Sequence, residues 1–243
     1  MTTSGTTSFN LELRDIVEEA FERCGSELRT GYDLKTARRS LNLLTIEWAN
    51  RGINLWTIEE GSIPMVTGQA SYNLPVDTID LLEQVIRTGS GETQSDITIN
   101  RISVSTYATI PNKTAQGRPI QVWIDRQSGA TEPSTGINYP KIYVWPTPNS
   151  PGDQYTFVYW RMKRIQDAGT GGSATQDIPF RLLPCLVAGL AYHLSMKIPG
   201  AEQRTEILKL AYEEQWNLAA GEDREKASVR FVPREFFIGS GGY

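Results

Sequence analysis

One histidine and two cysteines leave this chain of 243 residues short of the side chains that most hydrolytic and metal chemistry requires. A nucleophile–histidine pair needs the imidazole beside a serine or thiol, yet His193 lies eight residues beyond Cys185, more than two helical turns away. A zinc site built on His and Cys needs more ligands than these. His193, at the edge of an apolar helical stripe, reads as a partly buried structural residue. Cys24 and Cys185 fall on different predicted helices without metal-ligand spacing, and read as reduced core thiols of a cytosolically made protein. No run approaches the roughly 18 apolar residues of a membrane span. The Met1–Ser8 start lacks the basic and apolar regions of a signal peptide. A basic surplus is missing too: 24 Lys and Arg face 28 Asp and Glu, for a net charge of −4. Proteins that grip nucleic acid by its backbone usually show the opposite balance, so this surface is mildly repulsive to DNA.

What is present is a globular composition, 39% apolar and 21% charged. Leu13, Ile16, Val17, Ala20, Phe21 and Cys24 recur at helical spacing, and Gly25 supplies a stop. A second helix is expected from an Asp33 N-cap to Gly52, with Leu34, Ala37, Leu41, Leu44 and Trp48 on one stripe. The first helix is rich in acids and the second in bases, which suits an antiparallel pair. From Ile53 to about Gln176 the period shortens. Strands are expected at Leu55–Ile58, Ser62–Val66, Ser71–Leu74, Leu81–Thr88, Thr93–Asn100, Ile120–Asp125, Lys141–Trp145 and Tyr155–Trp160. Thr67–Ala70 reads as a hairpin turn and Ser103–Thr109 as a short helix. Residues 169–176 read as a flexible linker. A third long helix, capped by Asp177, carries Leu183, Leu186, Val187, Leu190, Ala191, Leu194 and Ile198 to a stop at Pro199–Gly200. A fourth runs from Ala201 to about Ala220 with Leu208, Ala211, Tyr212 and Leu218.

The fold class is therefore α+β, with a flexible N-terminus at 1–9. Helical hairpins at 10–53 and 177–227 form a four-helix bundle around an inserted antiparallel β-rich domain at 54–176. An extended tail follows at 228–243. Its Val229, Phe231, Val232, Phe236, Phe237 and Ile238 are apolar, while Pro233 and the closing glycines oppose regular structure. Burying each Phe is worth roughly 1.5–3 kcal/mol, so the tail should lie in a groove on its own domain or on another subunit.

Other candidate chemistry is thin. Glu59 and Glu60 are adjacent, and neighbours on a strand point to opposite faces, whereas a glycosidase needs carboxylates facing across a sugar. A solvated strand end explains them. Gly169–Gly172 has the glycines of a phosphate loop without its Lys and Ser/Thr. Arg161, Lys163 and Arg164 form the densest basic cluster, best explained as a solvated strand end or a subunit salt bridge. Trp123, Tyr143, Trp145, Tyr155, Phe157, Tyr159 and Trp160 alternate as in a sheet core and a subunit interface. No residues support a cofactor.

The stretch Ala37–Gly61, reading ARRSLNLLTIEWANRGINLWTIEEG, resembles the second helix and first strand of phage head-to-tail adaptors. These are also called tail tubular protein A or tail accessory factors of short-tailed phages. Ser71–Glu83, the hairpin from Phe180–Tyr192 through Tyr212–Trp216, and Asp223–Arg234 are similar to that family as well. The resemblance implies a structural virion protein, not an enzyme, assembled as a ring of twelve copies. Such a ring would join the portal protein to the tail nozzle (a tubular protein B-like partner) and leave a channel through which genomic DNA passes without specific binding. By the same resemblance the bundle faces the portal, and the tail (Val229, Arg230, Phe231, Val232, Arg234, Phe236, Phe237, Ile238) lies in clefts between portal subunits. The β-rich part would meet neighbouring copies and the nozzle. Two other classes remain as alternatives: a peptidoglycan-degrading virion enzyme using Glu59 or Glu60, and a glycan-binding tail component using the aromatic strands.

Overall fold

The computed structural model describes residues 4–29, 31–53, 55–126, 138–149, 155–171 and 173–224. All eight expected tail contacts, Val229 to Ile238, lie outside these residues. Within them the chain is α+β, with the long helices near its ends and two sheets between.

Helix α1 (Leu13–Cys24) buries the six residues its spacing predicts. The Asp15 carboxylate accepts the Glu12 backbone N–H at 3.3 Å, closing the first turn. Gly25 ends it at φ +77°, a left-handed position that favours glycine. There Arg204 donates to the Arg23 carbonyl, placing a cation on the helix's negative end. Helix α2 (Gly31–Arg51) starts two residues before the expected Asp33 cap, which instead sits in its first turn. Ala37, Leu41, Leu44 and Trp48 are buried as predicted. Among the described residues no ion pair joins α1 to α2. Their opposite charge is spent elsewhere: Arg14 pairs with Glu18, Arg23 with Glu19, and Arg51 with Glu47 and Glu213.

The third long helix begins later than its sequence suggests. Pro179 holds an extended ψ of 140°, a 3-10 turn spans Phe180–Leu182, and α4 runs Leu183–Ser195 with Pro184 in its first turn. Ile178, buried in the helical core, anchors the chain ahead of the helix. Helix α4 is buried nearly all round because α1, α2 and α5 (Thr205–Glu222) each pack against it. Gly189 permits this approach: a Cβ there would stand 2.9 Å from both Leu44 and Tyr212 side-chain carbons. On α5 Leu208 and Tyr212 are buried as expected, but Ala211 and Leu218 are exposed. Only one narrow stripe of that helix, Leu208, Tyr212 and Ala219, faces α4, and Ala211 lies about 100° round from Tyr212.

The sheets are four-stranded, in the orders β1-β8-β3-β4 and β2-β7-β6-β5. Their strands are β1 (Ile58–Pro64), β2 (Ser71–Asn73), β3 (Thr78–Thr88), β4 (Ser95–Thr98), β5 (Asn100–Arg101), β6 (Gln121–Asp125), β7 (Lys141–Trp145) and β8 (Thr156–Lys163); a short helix α3 (Val104–Ala108) follows β5. All pairs are antiparallel except β5–β6, which is parallel. Leu81, Ile86, Phe157 and Tyr159 of one sheet share a core with Tyr72, Val122, Ile124, Ile142 and Val144 of the other. The two predicted segments Leu55–Ile58 and Ser62–Val66 resolve differently: a 3-10 turn at Leu55–Thr57, then one continuous strand β1. Thr67–Ala70 is not a hairpin turn, because β1 and β2 belong to different sheets and this segment carries the chain between them. A true hairpin joins β3 to β4 through Gly89 and Gly91. Since β1 pairs with β8, the β-rich region enters and leaves through adjacent strands. The expected linker is engaged: Leu13 N–H donates to the Ala174 carbonyl at 2.8 Å and Thr175 bridges Glu12.

Candidate functional site

The polar centre of the helical core is Glu47, one face of α2 away from the Trp48 stripe. Trp48 Nε1 donates to Tyr212 Oη at 3.2 Å, and that hydroxyl donates to Glu47 Oε1 at 3.1 Å. Arg51 reaches Glu47 at 3.3 Å, Glu213 at 2.8 Å, and lies 4.6 Å above the Trp216 ring. His193 Nε2 stands 3.3 Å from Glu47 Oε2 with its side chain 18% exposed, so the partly buried histidine expected from the sequence is also a hydrogen-bond partner of Glu47. Burial pushes the Tyr212 hydroxyl well up, with Glu47 adding to it. The arrangement satisfies buried polar groups and has no nucleophile beside the imidazole. Burial pushes the Cys24 thiol up to about 11 and the Cys185 thiol up to about 12, so both are poor nucleophiles at neutral pH.

Burial also lowers the His193 pKa, and the Glu47 carboxylate only partly offsets this. With the folded value below the unfolded one, the unfolded chain takes up the proton first as pH falls. His193 therefore contributes stability that is present above about pH 6.5 and lost below it. Urea midpoints should begin to fall near that pH in the parent protein and not in His193→Gln; superimposable profiles would reject the assignment.

The other sequence candidates separate. Glu59 is the second residue of β1 and exposed, as a solvated strand end, and accepts from Arg161 at 2.8 Å. Glu60 points to the opposite sheet face, so the two carboxylates do not converge. Arg161 is neither solvated nor free for another subunit: its side chain is 8% exposed and also donates to Asp77 at 2.6 Å and to Thr78. Burial raises the Asp77 carboxyl, but the Arg161 hydrogen bond and charge outweigh it and hold the group below its usual range. Phe157 and Tyr159 are core residues. Trp123 and Tyr143 alternate away from the core and stack at 4.8 Å, with Tyr107 of α3 laid 5.3 Å from the Trp123 ring. The sequence marked α3, but not that its tyrosine covers this aromatic plate.

Two surface features lie where the chain leaves the described residues. The end of α5 is fixed by an Arg181–Glu222 ion pair and by the Leu55 N–H donating to the Asp223 carboxylate at 3.2 Å. A hollow there is lined by Trp56, Leu182, Phe180 and Asp223. Phe180 also borders an open groove of about 590 Å³ between α1 and α4, floored by Leu11, Leu183, Pro184 and Val187. Asp15, Glu18, Glu19, Glu22 and Arg23 of α1 line its side. The acidic run was visible in the sequence; the apolar floor beneath it depends on where α4 begins. Elsewhere, Ile207, Leu210 and Leu218 leave an apolar stripe on the outer face of α5, each more than 60% exposed. Among the described residues no helix is long and apolar enough to cross a membrane, and no group of His, Cys, Asp and Glu is arranged to hold a metal.

No curated protein matches the chain significantly. The family model described as SU10 adaptor protein matches residues 12–234, a span that takes in every helix and strand from α1 to α5 and continues into the first part of the tail. A match across both cores at once shows that the chain belongs to the SU10 adaptor protein family, a family of phage head-to-tail adaptors.

Proposed function

We propose that this chain is the adaptor that joins the portal to the tail nozzle of a phage virion, as a ring of twelve copies around a DNA channel. The observation that carries the reading is the family match over residues 12–234, because it covers the helical core, both sheets and the start of the tail together. In this reading the four long helices act as one bundle at 10–53 and 177–227 that faces the portal. The inserted β-rich region, 54–176, meets neighbouring copies and a tubular protein B-like nozzle. The tail at 228–243 docks on the portal through Val229, Arg230, Phe231, Val232, Arg234, Phe236, Phe237 and Ile238. Two physical features support assembly. The unpartnered Ile207, Leu210 and Leu218 stripe on α5 is the kind of face that a second copy covers. The net charge of −4 suits a channel wall along which DNA slides without sticking.

The test is to mix the full chain with purified portal rings and measure mass and image the products. Ring-shaped complexes with one adaptor copy per portal subunit are expected. Failure of the chain to associate with portals at micromolar concentration would overturn the reading.

A further inference from the structure

We propose that the groove between α1 and α4 is the seat of the chain's own Lys226–Arg234 segment in the free protein. The inference concerns the unassembled chain and stands on the groove's geometry, independent of the portal reading. Proximity comes first. Asp223 and Glu222 are pinned beside Phe180, and Phe180 borders both the hollow at the end of α5 and the groove itself. The segment that follows thus starts at the mouth of the groove.

Chemistry comes second. In extended form, alternate residues of a chain face opposite sides. Ala227, Val229, Phe231 and Pro233 then share one side, while Lys226, Ser228, Arg230, Val232 and Arg234 share the other. The first set matches a floor of Leu183, Pro184 and Val187. The second matches the acids on α1: Lys226–Arg234 contains three cations and no acid. Glu18 and Glu19 are partly neutralised by Arg14 and Arg23, but Glu22 has no ion-pair partner among the described residues. Size agrees as well. The α1 residues that line the groove, from Asp15 to Arg23, span about 12 Å, the length of about four extended residues such as Val229–Val232. A seat of this kind keeps Val229 and Phe231 from water until a stronger partner takes the tail.

The test cross-links the full-length free chain with a short bis-maleimide, at dilution, and identifies products by mass. The pair Glu18→Cys/Val229→Cys places one thiol on the groove and one on the segment. The pair Asn217→Cys/Val229→Cys is the control, since Asn217 is exposed on α5 and closer in sequence to the root of the tail. The buried native thiols react slowly enough to stay silent. Seating predicts intrachain closure at least about tenfold faster for the groove pair than for the control. Adding Glu19→Lys and Glu22→Lys should bring that ratio down towards one. Equal rates for the two pairs, products formed mainly between copies, or a ratio unmoved by the charge reversals would each overturn the proposal. None of these outcomes involves the portal, so the seat and the adaptor reading fail separately.

Discussion

Replacing Trp48 with alanine should destabilise the protein by about 3–5 kcal/mol, a large part of the 5–15 kcal/mol typical of a whole domain. Trp48 is fully buried, its ring centroid lies 6.1 Å from that of Trp216, and its indole N–H donates to the Tyr212 hydroxyl. The substitution removes the largest buried side chain of the helical core and leaves a cavity between α2 and α5 that Gly189 cannot help to fill. It also strips one partner from the Tyr212–Glu47–His193 network, although Tyr212 keeps its bond to Glu47. Trp48→Phe should cost less, because most of the volume stays. Urea unfolding followed by far-ultraviolet circular dichroism separates these cases, and avoids the fluorescence of the residue being changed. A Trp48→Ala loss below about 1 kcal/mol would contradict the packing of α2 and α5 against α4.

Much of this core could be read from the chain because helical periodicity reports directly on burial. The Leu13–Cys24 stripe and the Leu183–Leu194 stripe were both legible residue by residue. Leu218 was not, since an apolar residue on a helix surface carries no mark of which neighbour, if any, covers it. The start of α4 was misplaced for a related reason. Asp177 and Pro179 form a good cap signal locally, but burial of Ile178 is a tertiary event that local propensity cannot see. Strand identities were legible from alternation, yet partners were not. Thr67–Ala70 has the residues of a hairpin turn, and only the pairing of β1 with β8 and β2 with β7 shows that it links two sheets. Arg161 illustrates the same limit for the site. A basic residue near a strand end reads as solvated, until Asp77 and Glu59, 84 and 102 residues away, converge on it. The groove required both kinds of information: an acidic helix seen in sequence, and an apolar floor seen only once α4 is placed beside it.

Deleting Ser228–Tyr243 should abolish portal docking while leaving the far-ultraviolet circular dichroism of the helices close to that of the full chain. The expectation follows from where stability resides. Both hydrophobic cores are built from described residues that the deletion leaves in place. In the proposed reading docking depends on the deleted residues instead. Each Phe among Phe231, Phe236 and Phe237 that becomes buried on a partner is worth roughly 1.5–3 kcal/mol, against about 0–1 kcal/mol for an exposed ion pair made by Arg234. Phe231→Ala and Phe236→Ala should accordingly weaken docking more than Arg234→Ala. The differences should be largest for single chains binding a portal. In an assembled ring, tails acting together raise the effective concentration of each, so one weakened contact per copy is multiplied around the ring and docking is lost over a narrow range of affinity. A truncated chain that binds portal rings as well as the parent would remove the tail from the interface.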